Sequence, residues 1–173
     1  LREALAMFRE LLGDQYPFVA TNLNSLASVM AAQGGDSEAE SLFEAALAIR
    51  RDVLPPEHPH IAYTLHGLGR LHLACRRPDK AVVLLREALD IRQKVLGEDH
   101  VDTAEVRAAL GHCLMQLEDY AQAKRLLLRS RKILAAQRGE DHASVREADA
   151  SLRDLYELWD PSKSGTSPRP GPK

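Results

Sequence analysis

One short element recurs at a fixed interval and constrains everything else this chain can fold into. It reads Pro56-Glu57-His58, then Gly97-Glu98-Asp99-His100, then Gly139-Glu140-Asp141-His142. The histidines are 42 residues apart (100 − 58 and 142 − 100), and the same step back from His58 reaches Tyr16, in the related Gly13-Asp14-Gln15-Tyr16. A period of this length marks an array of stacked units, none of which can bury its apolar face alone.

The chain between these elements divides accordingly. Residues 1–12 place Leu1, Leu5, Phe8 and Leu12 on one helical stripe, so 1–13 reads as the second helix of a truncated repeat. Whole repeats span 17–54, 59–96 and 101–138, each with two helices. Pro17 and Pro59 suit a first helical position, where the missing N–H is not needed. In the first repeat Gly34-Gly35 breaks the chain and Asp36-Ser37 offers an N-cap. The inner turns of the next two lie at Arg77-Pro78-Asp79 and Glu118-Asp119-Tyr120. Pro55-Pro56, Gly97 and Gly139 stop the second helices, and Asp90 with Lys94 forms an i,i+4 pair. Residues 143–159 supply one more first helix. There Asp149 and Arg153, another such pair, replace Leu and small residues, which predicts a polar-faced terminal cap. Leu152, Leu155, Tyr156 and Trp159 are expected to form its apolar inner face. Residues 160–173 hold four prolines and predict a disordered tail, with Ser167-Pro168 a candidate phosphorylation site.

Superposed at this period, some columns do not vary: Leu26, Leu68, Leu110 and Leu152; Ala39, Ala81 and Ala123; Ile49, Ile91 and Ile133. Small residues (Ala27, Gly69, Gly111; Ala46, Ala88, Ser130) alternate with large ones (Phe43, Leu85, Leu127). Small side chains let helix axes approach and large ones fill the adjoining space. The pattern resembles the tetratricopeptide repeat, through Leu23, Leu26, Ala27, Met30, Ala39, Phe43 and Ala46, and again through Leu65, Leu68, Gly69, His72, Ala81, Leu85 and Ala88. That family's usual period is about 34. The longer spacing, with Glu57-His58-Pro59 opening a repeat and Ala88-Leu89-Asp90-Ile91 closing it, is similar to the kinesin light chain and nephrocystin-3 type. The resemblance covers residues 1–159. It implies an all-α, right-handed α-solenoid of stacked helix–turn–helix repeats. The function it implies is a non-catalytic scaffold or adaptor binding a partner peptide in a concave groove, as a part of a larger assembly. The alternative it leaves open is a regulatory sensor module of a larger signalling ATPase or transcription regulator.

Composition narrows the classes. A net charge of −2 gives no reason to expect nucleic acid as a bulk partner. No window approaches the ~20 apolar residues of a membrane span, and no signal-peptide pattern is seen. The chain opens on Leu1 inside a helix and reads as a fragment. Cys75 and Cys113, both within helical patterns, read as reduced, buried small hydrophobes, which suits a cytoplasmic location. The chain has no Gly-x-Ser-x-Gly, phosphate-binding loop, His-Glu-x-x-His or Cys-x-x-Cys, so neither enzyme nor cofactor is expected. Gly67-Leu68-Gly69 falls mid-helix and reads as packing. The repeated histidines would stand roughly one helix-packing distance, ~10 Å, apart. An ion with ~2 Å bonds could not bridge them, so they are expected to cap or orient the turns, with no metal.

If the resemblance holds, the first helices line the groove. The inward columns are then Thr21, Asn24 and Ser28; Tyr63, His66 and Arg70; Glu105, Ala108 and His112; Glu147 and Asp154. The peptide-binding candidates among them are Asn24, Ser28, Tyr63, His66, Arg70, Glu105 and His112. An Asn amide both donates and accepts, as an extended peptide backbone requires; His66 and Ala108 stand in the Asn24 column of the later repeats. The groove grades from neutral through cationic Arg70 to acidic Glu147 and Asp154. Lys124, Arg125, Arg129, Arg131, Lys132 and Arg138 make the last second helix basic. That reads first as a solvated face and second as a docking patch for an acidic partner. Arg107 replaces a large apolar residue and is expected to snorkel.

Overall fold

The computed structural model describes residues 17–159; the helix expected over 1–13 and the tail over 160–173, with Ser167, lie outside the described residues. Seven helices are described: α1 Pro17–Ala32, α2 Asp36–Val53, α3 Pro59–Ala74, α4 Pro78–Leu96, α5 Val101–Gln116, α6 Tyr120–Arg138 and α7 Ala143–Leu158. Each packs on its neighbours in sequence. In addition α1 meets α3, α3 meets α5, and α5 meets α7, while α2, α4 and α6 make no comparable approach to one another. First helices therefore close on an inner face and second helices splay on an outer one, which is the shape of a solenoid.

The turns explain why the period holds. In all three described inter-repeat turns the histidine is the N-cap: Nδ1 of His58, His100 and His142 accepts the backbone N–H two residues on, at 3.1, 3.1 and 3.2 Å. That satisfies one of the donors a helix N-terminus leaves unpaired, and it requires the Nε2–H tautomer. Gly97 and Gly139 end α4 and α6 at φ 88° and 87°, a region open to glycine. The inner turns use a left-handed residue too, at Gly34, Arg76 and Glu118. In each, the next residue's N–H reaches back five positions, as from Arg77 to the His72 carbonyl at 2.9 Å, closing the helix end. One start signal differs from expectation. Asp36 lies within α2 and Gly35 occupies the N-cap without a side-chain bond, whereas Asp119 does cap α6 through Gln122 N–H at 3.1 Å.

Packing follows the small-and-large columns. A Cβ built on Gly69 would come within 2.8 Å of Leu85, and one on Gly111 within 2.8 Å of Leu127; on Gly67 it would meet the Phe43 ring at 2.7 Å. These glycines are where α3 and α5 receive a large side chain from α2, α4 or α6. A continuous core runs from Leu47 to Leu155 through Leu65, Leu85, Leu110 and Leu127. On α7, Val145, Ala148, Leu152 and Leu155 are buried while Arg146 and Arg153 face solvent, giving the polar outer face of a cap. Two details of α7 are corrected. Tyr156 is 48% exposed, with Lys124 Nζ lying 5.1 Å over its ring. Asp149 accepts from Arg131 of α6 at 3.0 Å, a partner that nothing near it in sequence announces. Cys113 is buried, but Cys75 is only partly so. Burial pushes the Cys113 thiol up to about 11, which leaves it protonated and inert.

Arg107 does not snorkel. It is 1% exposed, its guanidinium donating to the Glu98 carbonyl at 3.1 Å and the Glu98 carboxylate at 2.6 Å. The repeated Gly-Glu-Asp-His turn thus supplies the acceptor that lets an arginine stand in a leucine column.

Candidate functional site

The inner faces of α3, α5 and α7 enclose a concavity of 470 Å³. His66 and Arg70 come from α3, Arg76 from the turn after it, Glu105, Ala108 and His112 from α5, and Glu147 and Ser151 from α7. Their spacing of three to four residues on each helix is what brings them to one side. The floor is small, through Ala74, Ala108, Ala109 and Ala148, so a chain can lie close to the helices.

Its electrostatics are asymmetric. Among the described residues Arg70, Arg76 and Glu147 have no ion-pair partner, whereas Glu105 is held by Arg138 at 2.6 Å. The cationic end is therefore stronger, and the acidic end weaker, than a count of charges implies. Burial, then the positive charges of Arg70 and Arg92, hold the His66 imidazole down to about 4. It is neutral at pH 7, able to donate from one nitrogen and accept at the other. Arg76 was not among the residues expected from sequence. The available signal was its column: Gly34 and Glu118 hold the same left-handed turn. A bulky residue kept where glycine fits better is a local strain of the kind found at functional positions.

Of the seven candidates, His66, Arg70, Glu105 and His112 line this concavity, and Asn24, Ser28 and Tyr63 do not. Asn24 is corrected outright: it is 2% exposed, and its Oδ1 accepts from Arg50 Nη1 at 3.4 Å. The reason is Arg50, a buried arginine of α2. Its guanidinium also donates to the His60 carbonyl at 2.8 Å, to the Thr64 hydroxyl, and to Thr21 Oγ1 at 3.5 Å, and lies 6.0 Å from the Tyr63 ring centroid. Asn24 is thus part of a staple between repeats. Arg92 repeats the device one unit on, pairing with Asp102 at the start of α5. Ser28 is exposed and donates to its own helix at the Asn24 carbonyl, 3.0 Å. Tyr63 is 51% exposed beside the staple. Of the further inward columns, Ala108 and Glu147 line the concavity, and Thr21 and Asp154 lie outside it.

Much of the basic character of α6 is neutralised within the fold. Arg129 meets Glu98 and Asp99, Arg131 meets Glu140 and Asp149, and Arg138 meets Glu105. Among the described residues no helix is long and apolar enough to cross a membrane.

Comparison with known proteins agrees with this architecture. The family model for the tetratricopeptide repeat matches residues 1–52, 36–94 and 60–136. No curated protein matches. Among solved structures, a single-substitution form of a Podosopora anserina kinesin light chain-type protein with nearly identical TPR-like repeats is similar at a TM-score of 0.75 and 26% identity, over 90% of this chain and 74% of that one. BtubC (BKLC) from P. vanneervenii gives 0.70 and 21% over 99% and 75%. The Sgt2 TPR domain from Aspergillus fumigatus gives 0.58 and 19% over 89% and 88%. The last two speak to the fold alone. The chain belongs to the tetratricopeptide repeat family, in the kinesin light chain-like form of that repeat.

Proposed function

We propose that this chain is an adaptor that holds an extended partner peptide in the concavity of α3, α5 and α7. Proteins of this family generally serve as non-catalytic scaffolds for protein–protein interaction. The observation that carries the finer reading is the pair of uncommitted arginines, Arg70 and Arg76, at one end of an alanine-floored concavity. At its other end stands Glu147, without an ion-pair partner among the described residues. An acidic side chain of the peptide sits by Arg70 and Arg76, and a basic one by Glu147. His66, held neutral, and His112 are placed to meet backbone amides and carbonyls. With two free cysteines, the protein suits a reducing, cytoplasmic setting.

The experiment is affinity selection from a random peptide library, followed by titration of the selected peptide into wild type and Arg70→Glu. Placing a like charge against the acidic side chain is expected to weaken binding by about tenfold or more at low salt. Equal affinity for the two proteins would contradict the proposed orientation.

A further inference from the structure

One arginine mutes the acidic end of the concavity. Glu105 of α5 and Glu147 of α7 stand in the same column, 42 residues apart, and both line it. Arg138, in the last turn of α6, holds Glu105 through Nη1 at 2.6 Å, and the same nitrogen lies 3.5 Å from Ser144 Oγ. Ser144 also lines the concavity, half-buried in the first turn of α7. Its hydroxyl donates to His142 Nδ1 at 2.8 Å, which leaves its oxygen as an acceptor for Arg138. Ser151, the other serine of the lining, differs: its hydroxyl donates to the Glu147 carbonyl of its own helix at 3.0 Å.

The preceding repeat shows what an acid does at this place. One period earlier the residue is Asp102. Its N–H is accepted by His100, as the Ser144 N–H is by His142, and its carboxylate pairs with Arg92 of the helix before. In the third repeat Leu134 takes the Arg92 column, and Arg138, one turn further on, brings the guanidinium to Ser144 instead. The arginine is in place and the acid is not.

We infer that Ser144 is a phosphorylation site whose phosphate draws Arg138 away from Glu105 and makes the α7 end of the concavity strongly acidic. Its effect on binding rests on the groove being the peptide site, as proposed above. The transfer needs ATP and a protein kinase. The bond from Ser144 Oγ to the γ-phosphorus forms as the bond from that phosphorus to the departing ADP oxygen breaks, and the hydroxyl proton passes to the kinase's base. Glu140, Asp141 and Glu147 around the serine, against Arg146, suit a kinase with a basic substrate cleft. Helix α7 is the last described and meets only α5 and α6, so opening of its first turn presents the hydroxyl. A phosphoserine carries about −2 at pH 7 and three acceptor oxygens, which a guanidinium fork meets better than it meets one carboxylate oxygen. Glu105, Glu147 and Arg138 together sum to −1; with the phosphate the cluster reaches about −3. A basic side chain of the bound peptide, at that end, is then held more tightly.

The whole chain serves for the test. Treated with ATP and acid-directed serine/threonine kinases, it is expected to carry phosphate at Ser144 in fragment mass spectra. With phosphoserine encoded at position 144, phosphorus-31 spectra follow the second ionisation of the phosphate, ordinarily near pH ~6. It is expected to lie lower while Arg138 is present and to return towards that value in Arg138→Gln. The peptide selected from the random library is expected to bind the phosphorylated chain about tenfold more tightly at low salt, a gain lost when its basic side chain is replaced by glutamine. No phosphate at Ser144, or an ionisation that Arg138→Gln leaves unmoved, would overturn the inference. So would equal affinity of the two forms for a peptide that Arg70→Glu weakens, with the groove left standing. A selected peptide whose binding neither Arg70→Glu nor the phosphate alters would contradict the groove itself, and the regulation with it.

Discussion

A single imidazole nitrogen opens each described inter-repeat helix start, and its contribution can be measured. His100→Ala removes the acceptor for Asp102 N–H, and loss of an N-cap costs about 1 kcal/mol. His100→Asn keeps an acceptor at the same distance from the backbone and should recover most of it; urea unfolding of both variants checks this. His66 makes the opposite kind of prediction. Its folded-state value of about 4 lies below its ordinary 6.5, so the unfolded chain binds more protons between those limits. Stability should then fall as pH drops from about 6.5 towards 4, and His66→Gln should fall less over that window. His60 and His72 are also held low by burial, so the comparison is between the two slopes. These cases divide by how local their causes are. The capping histidines were legible because spacing and N-cap chemistry are local. Asn24 was misplaced because its partner, Arg50, is 26 residues away in sequence. Arg107 was misjudged for the same reason: nothing near it announces that the Glu98 carboxylate folds over it.

At the level of helices, stacking is decided by where two axes come close. Gly111 receives Leu127 at a distance no Cβ could share. Gly111→Leu should cost about 1–3 kcal/mol through overpacking. Gly111→Ala should also destabilise but by less, because its Cβ meets the Cγ of buried Leu127 at 2.8 Å, a clash that the gain of up to about 1 kcal/mol on replacing a helical glycine offsets only in part. Thermal melts of the two variants distinguish this from a role for glycine in flexibility, which would make both equally harmful. Helix order and turn positions were readable from the period alone, since each repeat reports the same columns again. The cap was readable from where that pattern fails: Arg153, in a column of alanine and glycine, faces solvent, whereas Asp149, in a column that holds leucine, is half-buried and pairs with Arg131. Its details were not, because Tyr156 is drawn to Lys124 of α6 rather than to the core.

Across the whole molecule, repetition creates two surfaces with different chemistry. The first helices approach one another and form an alanine-floored concavity with Arg70 and Arg76 at one end and Glu147 at the other. The second helices splay and grow more basic from α2 to α6. Which helices face inward followed from the repeat, and four of the seven candidate residues meet in one concavity. Asn24 did not, because the buried arginine staple holds it, while Ser28 and Tyr63 are exposed outside the concavity. The most direct test of the proposed function is site-specific photo-crosslinking to a peptide selected by the protein. A photoreactive residue replacing Ala108, on the groove floor, should capture the peptide, and the same residue at Ala136, on the outer face, should not. Capture at Ala136 with none at Ala108 would contradict the groove.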